Sequence, residues 1–365
     1  MQVVCTHENL KKSLGITSRV SNGSSTLPVL NNILLKTDQG MLKLSSTNLE
    51  IGVNTWLRCK VEEEGGVSVP SKTLTDLIAN LPNDKITLKL EGNLLLIESG
   101  GYQTKIKGLG VDEFPLIPEV DQTTLIEIPG KDLKEAISQV AFAAAYSETQ
   151  PEISGVLFSF EGDRLKIVAT DRYRLAEKNI LIKAQSINKN LIIPNKAIQE
   201  LSKLLSGEES EIVHMFIAQN QIMFKTNETE IISRLIDGQY PDYKHIIPDQ
   251  FNTEIECQTA DIVSAMRTAG IFTQTGNNVS LEYKEPDFLL AQSSSGELGE
   301  SKVNITSKVK GEEGVIIFNH RYILDGLSSI GTKTIILKII NDNSPTVICS
   351  KELPGYLYLV MPIKI

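Results

Sequence analysis

The chain repeats itself, and the repeat limits its possible folds more than any other feature. Three segments run in parallel: GVSVPSKTLTDLIANL from Gly66, NLIIPNKAIQELSKLL from Asn190 and GVIIFNHRYILDGLSSI from Gly314. Each is a short alternating apolar strand, a Pro or Phe, a Ser or Asn, a basic residue or His, and then an amphipathic stretch. The equivalent positions Pro70, Pro194 and Phe318 are spaced by 124 residues. A second register agrees with the first. NNILLKTDQGMLKLSSTNLE from Asn31, SGVLFSFEGDRLKIVATDRY from Ser154 and NNVSLEYKEPDFLLAQSSSG from Asn277 are spaced by 123 residues. Two markers at nearly equal spacing mean that one unit is written three times.

The copies also end alike. DEFPLIP (Asp112 to Pro118) and GQYPDYKHIIP (Gly238 to Pro248) each carry an aromatic-Pro pair followed by a Pro-bearing linker, which interrupts regular structure. These put the domains at 1–121, 122–249 and 250–365. Within a copy, period-two runs such as KITLKL and LLLIES around Glu91-Gly92-Asn93 read as a hairpin. Three-four spacing marks helices in the windows 7–21, 70–81, 130–147, 194–205, 260–273 and 319–330. The stripes Leu133, Ala136, Ile137, Val140, Ala141, Ala144; Leu74, Leu77, Ile78, Leu81; and Ile198, Leu201, Leu204, Leu205 are packing surfaces. The expected class is α+β: antiparallel sheets covered by two helices, three times over.

Composition narrows the function. With 41% hydrophobic and 22% charged residues and no apolar tract long enough for a bilayer, the chain reads as a soluble protein with no membrane partner. MQVVCTHENL has no basic region leading an apolar core, so a cytoplasmic location is expected. Cys5, Cys59, Cys257 and Cys349 have no CxxC spacing, which argues against a disulfide framework and a zinc site. The histidines His7, His214, His245 and His320 show no ligand spacing, and no GxSxG, P-loop or dinucleotide fingerprint appears. An enzyme, a metal and a cofactor are therefore not expected.

The net charge of −9 counts against a protein that grips nucleic acid over its whole surface. The charge is nevertheless uneven. The six helical windows hold ten basic residues: Lys11, Lys12, Arg19, Lys72, Lys131, Lys134, Lys196, Lys203, Arg267 and Arg321. Against seven acidic ones they carry +3, and the rest of the chain carries −12. A charged helix face alone is a solvated face. A weak, diffuse positive potential also suits contact with phosphates that must be exchanged along a duplex, because counterion release needs no directional bond.

TLPVLNNILL (Thr26 to Leu35), ATDRYRLA (Ala169 to Ala176), YPDYKHIIP (Tyr240 to Pro248) and a terminal VMPIKI, spread over three repeats, resemble the bacterial DNA polymerase sliding clamp family, the beta subunits. The resemblance covers the full length. It implies a head-to-tail homodimer closing a ring of six domains around double-stranded DNA without sequence preference, with helices inside and sheets outside. It further implies tethering of the replicative DNA polymerase catalytic subunit and opening by an ATP-driven clamp loader. Other DNA polymerases and repair proteins would bind through linear peptides.

By the same resemblance, the ATD-x-x-RLA stretch and the terminal MP segment form a peptide groove. Carried over by position, it comprises Ile153, Thr170, Tyr173, Arg174, Leu175, Pro241, Ile246, Asn319, Tyr322, Val360, Met361, Pro362 and Ile363. Apolar walls with a Met and a few orienting polar groups suit one groove serving several partners. Ile106, Ile271 and Phe272 match apolar dimer contacts of the family, and Lys72 is its best-matched DNA contact. The chain departs from the family at four places. Arg172 replaces a small residue, often Gly or Ser, and Ile363-Lys364 stands where Met-Arg is common. Gln150 replaces a common Arg, and Ser24-Ser25 lies where some relatives carry an Arg near DNA. The alternative reading is a repeat-built protein-interaction scaffold that does not encircle DNA.

Overall fold

The computed structural model describes residues 1–21, 27–122, 124–147, 149–184, 187–205, 212–273 and 276–364. The triplication is visible in strand register. Each copy holds the same antiparallel hairpin: Asn32–Asp38 with Met41–Thr47, Gly155–Gly162 with Arg164–Thr170, and Asn278–Lys284 with Phe288–Ser295. The strand before the second helix returns to the first hairpin strand at nearly the same point in each copy. Asn32 lies opposite Pro70 and Gly155 opposite Pro194, and in the third copy, one residue further along the hairpin strand, Val279 lies opposite Phe318. The positions that mark the repeat in sequence thus mark the same ladder position in space to within one residue. The class is α+β, three repeated domains of antiparallel sheet and helix.

Among the described residues the six longer helices are His7–Ser21 and Ser71–Asn80, Gly130–Val140 and Asn195–Leu204, and Thr259–Gly270 and His320–Ile330. Their apolar stripes are buried: Leu74, Ile78, Leu133, Ala136, Ile198 and Leu201 have essentially no exposed surface. Burying a side chain of this size contributes about 1.5–3 kcal/mol, so packing rather than propensity holds these short helices. One window is longer in sequence than in structure. The helix expected over 130–147 stops at Val140, whose φ of −121° leaves helical geometry, and a 3-10 turn over Ala141–Ala143 follows. The turn sends Phe142 to the ring of Tyr358, 5.5 Å between centroids, and leaves Ala141 and Ala144 only half-buried.

The repeats are not the compact units. One unit comprises Met1–Lys131 with Gln199–Leu235, the other Asp132–Ile198 with Ile236–Ile365. In the first, one sheet runs Lys60–Glu63, Gln2–Thr6, Lys85–Glu91, Leu94–Ser99, Tyr102–Lys107. A second runs from Leu125–Pro129 through Ile212–Ile217, Gln221–Lys225 and Thr229–Arg234 to Ile51–Leu57, Met41–Thr47, Asn32–Asp38 and Gly66–Pro70. The sheet crosses a repeat boundary where Thr229–Arg234 pairs with Ile51–Leu57. The helices His7–Ser21 and Ser71–Asn80 put Leu10, Leu14, Leu74 and Ile78 into one core with Val3, Leu35, Leu44 and Leu88.

The second unit repeats the device. Its nine-stranded sheet runs Ile187–Pro194, Gly155–Gly162, Arg164–Thr170, Arg174–Leu181, Tyr356–Val360, Thr346–Cys349, Thr334–Ile339, Thr253–Gln258, Ser307–Gly311. Here the boundary is crossed where Arg174–Leu181 pairs with Tyr356–Val360. A four-stranded sheet, Gly299–Asn304, Phe288–Ser295, Asn278–Lys284, Gly314–Asn319, completes it. Because backbone pairing continues from one copy into the next, the middle copy contributes strands to both units.

Candidate partner-binding groove

The stretch ATDRYRLA forms a tight turn between Arg164–Thr170 and Arg174–Leu181. Two side chains build it. Thr170 Oγ1 donates to the carbonyl of Arg174 at 2.7 Å and accepts the Arg172 amide at 3.1 Å. Asp171 Oδ1 accepts the amides of Tyr173 and Arg174, each at 3.0 Å. This Asx-type arrangement satisfies the backbone groups a turn leaves over and forces Arg172 into the left-handed region, φ 78°. Glycine alone would adopt that backbone without the Cβ penalty that Arg172 bears.

Arg174 ties three segments together. Its Nε donates to Asp171 Oδ2 at 2.9 Å, Nη1 to Asp325 Oδ2 at 2.6 Å and Nη2 to the Phe142 carbonyl at 3.2 Å. The guanidinium also lies over the Tyr322 ring, 4.6 Å from its centroid. Burial alone pulls its pKa down, but the Asp325 hydrogen bond and the Asp171 carboxylate act against burial, and the net direction is up. The cation is thus permanently charged and paired on both sides. Tyr173 is 62% exposed and stacks on Tyr322, centroids 6.4 Å apart and planes 24° apart.

The C-terminal segment closes the other side. Val360 lies opposite Arg174 in the ladder, the Met361 amide donates to the Tyr173 carbonyl at 2.8 Å, and the Ile363 amide donates to Ile317 at 2.8 Å. Beneath, Leu175, Tyr243 and Leu359 share a cluster with Tyr240, Ile247 and Met361. Asn319 caps the helix His320–Ile330, its Oδ1 accepting the Arg321 amide at 3.0 Å. Gly326 of that helix abuts the Tyr358 ring so closely that no side chain fits, which lets the Tyr358 hydroxyl donate to the Tyr322 carbonyl at 2.8 Å.

The groove residues carried over from the family therefore separate into two layers. Tyr173, Pro241 and Ile246 are exposed, and Arg174, Asn319, Tyr322, Met361 and Ile363 are half-buried. Ile153, Thr170, Leu175, Val360 and Pro362 are buried and serve as floor and frame rather than open wall. No hydrogen bond or ring contact joins Pro241 or Ile246 to Tyr173 or Tyr322; their neighbours Tyr240 and Ile247 pack in the cluster below. Sequence reading missed Asp171, Phe142, Asp325 and Tyr358, which orient Arg174 and Tyr322. Only Asp171 had a local signal, as an Asx residue ahead of a turn.

Of the basic helix residues, Lys11, Lys12, Arg19, Lys72, Lys131, Lys196, Lys203, Arg267 and Arg321 are exposed and Lys134 is half-buried. Lys203 is tied to Glu200 at 2.7 Å. Ser24-Ser25 and Ile365 lie outside the described residues. Gln150 sits half-buried just before the short helix Pro151–Ser154. Among the expected dimer contacts, Ile271 is 68% exposed and Phe272 half-buried, near Gly299 on the edge strand Gly299–Asn304. Ile106 differs: it lies on the edge strand Tyr102–Lys107 but points into the core, 6% exposed. On that edge the exposed apolar side chain is Tyr102, 59% exposed.

Three family descriptions match consecutive parts of the chain: the N-terminal domain of the DNA polymerase III beta subunit over residues 1–118, the central domain over 127–242, and the C-terminal domain over 244–364. A beta sliding clamp of Staphylococcus epidermidis is 30% identical over 362 residues, covering 96% of each chain. That of Synechocystis is 27% identical over 389 residues, covering 100% of both. Among solved structures, the sliding clamp of Bacillus subtilis superimposes with a TM-score of 0.96 at 26% identity over 100% of this chain and 99% of its own. The Pseudomonas aeruginosa clamp bound to griselimycin gives 0.96 at 28% identity over 100% of both. Triplicated architecture, matching ladder register and full-length likeness converge: this chain belongs to the bacterial beta sliding clamp family, the beta subunits of DNA polymerase III, and acts as a DNA sliding clamp rather than as an enzyme.

Proposed function

We propose that two copies of this chain close head to tail into a ring of six domains around duplex DNA, holding the replicative polymerase on its template. The observation that carries this is a sheet edge on each terminal copy. Tyr102–Lys107 ends the five-stranded sheet of the first copy, and Gly299–Asn304 ends the four-stranded sheet of the third. An uncovered edge with exposed apolar neighbours, Tyr102 on one and Ile271 and Leu298 by the other, is an aggregation hazard unless a strand covers it. Head-to-tail pairing of two chains satisfies both edges and closes. The domains are those bounded near 121 and 250, the helix cations Lys11, Lys12, Arg19, Lys72, Lys131, Lys134, Lys196, Lys203, Arg267 and Arg321 face DNA, and the location is the cytoplasm.

The groove of Tyr173, Arg174, Tyr322 and Met361 receives short linear peptides from the polymerase catalytic subunit, the clamp loader, other DNA polymerases and repair proteins. That related clamps of Pseudomonas aeruginosa and Bartonella birtlesii have been solved bound to griselimycin supports a ligand site in this chain. Retention on DNA is the test. Loaded on a nicked circle, the protein is expected to survive a salt wash and to leave when the circle is cut. Release from the intact circle by salt alone would instead favour a scaffold that does not encircle DNA. Phe272→Ala is expected to weaken the dimer by about 3–5 kcal/mol, read by sedimentation.

A further inference from the structure

We propose that Cys5 and Cys59 are a modification site, at which a peroxide oxidant joins the two thiols in a cross-strand disulfide. The site lies in the first copy and is independent of the ring and groove readings. Strand register carries it. Gln2–Thr6 pairs antiparallel with the edge strand Lys60–Glu63, Val3 opposite Val61 and Val4 opposite Lys60. One step further along the same register sets Cys5 opposite Cys59. Alternation agrees: Val3 and Cys5 are buried, Val61 and Cys59 pack against the same core cluster, and Lys60 between them is exposed. Directly opposed residues have Cβ atoms about 4.5–5.5 Å apart, and a disulfide needs about 3.5–4.5 Å. A closing movement of roughly 1 Å therefore joins them, at a ladder end on the outermost strand of the sheet. The thiols also feel each other: burial pushes Cys5 up to about 12, and the neighbouring Cys59 adds to the rise.

The other two cysteines lack this geometry. Cys257 and Cys349 stand on strands to either side of Thr334–Ile339. Ile336 lies opposite both Glu256 and Cys349, so Cys349 shares a sheet face with Glu256 while Cys257 faces the other side. In the Cys5–Cys59 pair the roles divide. Burial raises both thiols, and the Leu42 amide hydrogen bond opposes the rise at Cys59, which is also the less buried of the two. Cys59 is therefore the thiolate that meets the oxidant. Its sulfur attacks one oxygen of hydrogen peroxide, the O–O bond breaks, hydroxide leaves, and Cys59 becomes a sulfenic acid. The Cys5 thiolate then attacks that sulfur, the S–O bond breaks and a second hydroxide leaves. The two thiol protons turn both hydroxides into water, so two thiols and one peroxide give one disulfide and two waters. Cys5 thus holds Cys59 at a reversible stage and blocks the irreversible sulfinic acid. In a reducing compartment such a bond forms under oxidant and is reversed afterwards, which suits protection of the core rather than a permanent clip.

The test treats folded full-length protein with hydrogen peroxide, alkylates the remaining thiols in denaturant and reads digests by mass spectrometry. A linked Cys5–Cys59 peptide, lighter by two hydrogens and released by dithiothreitol, is expected, with Cys257 and Cys349 outside any link. Because both thiols titrate above the usual range, linkage is expected to quicken about tenfold from pH 7 to pH 8. In C5S and C5A the link is lost, and Cys59 goes on to a sulfinic acid that dithiothreitol does not reverse, about fivefold or more above the wild-type level. In C59S, Cys5 stays alkylatable. Agreement between the polar and the apolar Cys5 variant separates loss of the resolving thiol from a packing fault. Wild-type protein with sulfinic acid at Cys59 and Cys5 unlinked overturns the proposal. Links from Cys257 or Cys349 to either thiol at equal yield also overturn it, since they report pairing through unfolding. So does protein whose four thiols all remain alkylatable under a large excess of peroxide.

Discussion

The turn over Thr47 to Ile51 and the turn over Thr170 to Arg174 are the same object in two copies. Thr47 Oγ1 donates to the Ile51 carbonyl as Thr170 does to Arg174, and it accepts the Leu49 amide as Thr170 accepts that of Arg172. Asn48 Oδ1 accepts the amides of Glu50 and Ile51 as Asp171 does those of Tyr173 and Arg174. Even the incoming strand agrees: the Arg234 amide donates to the Glu50 carbonyl, and the Met361 amide to the Tyr173 carbonyl. What differs is the cargo. In the first copy the space beside the turn is filled from within, because Gly52 lies against Ile117 of the following linker. In the second, the equivalent Leu175 packs with Tyr240 and Met361 while Tyr173 stays exposed. The hydrogen-bonded frame therefore belongs to the repeat, and binding capacity depends on the side chains mounted on it.

The largest expected effect addresses that packing. Leu175→Ala is expected to cost about 2–5 kcal/mol of stability in urea unfolding, since it opens a cavity under the groove. Gly52→Ala puts a methyl where the Ile117 γ2 carbon stands 2.7 Å away. A cost of about 1–3 kcal/mol is expected, recovered by pairing the change with Ile117→Val. Equal losses without recovery would mean that the first turn is not self-filled.

Next in size is the charge. Asp171→Asn keeps an acceptor for the two amides but removes the partner of Arg174, an expected loss of about 1–2 kcal/mol and of affinity for groove peptides. Asn48→Asp, which faces no guanidinium, is expected to shift the melting temperature little; matching shifts would erase the distinction between frame and cargo. The smallest effect tests the shared backbone. Leu49→Gly and Arg172→Gly each relieve a left-handed residue at some entropic cost, so both are expected to stabilise by about 0.5 kcal/mol. Opposite signs would show that the two turns are not equivalent.

Periodicity made much of this legible. The stripes Leu74, Ile78 and Ile198, Leu201 are buried as their spacing demands, and the hairpin around Gly92-Asn93 pairs Leu88 with Ile97. Local patterns report burial because a side chain's face follows from its own helix or strand. They carried less at 141–147, where Val140 leaves helical geometry and Phe142 turns to a ring more than two hundred residues away. Ile106 is the same lesson at an edge: alternation says that it faces one side, but only the neighbouring strand says that side is core.

From the residue order alone came the triplicated α+β unit, its six longer helices and the basic bias of those helices. These follow from local propensity and from self-similarity, which need no knowledge of distant contacts. The tertiary structure decided the rest: the splitting of the middle copy between two compact units, the meeting of Arg174 with Asp325, Phe142 and Tyr322, and the division of the groove into exposed wall and buried floor. Each depends on pairing between residues far apart in the chain, as Arg174 with Val360, and such pairing is set by the global packing of sheets rather than by any short stretch of sequence.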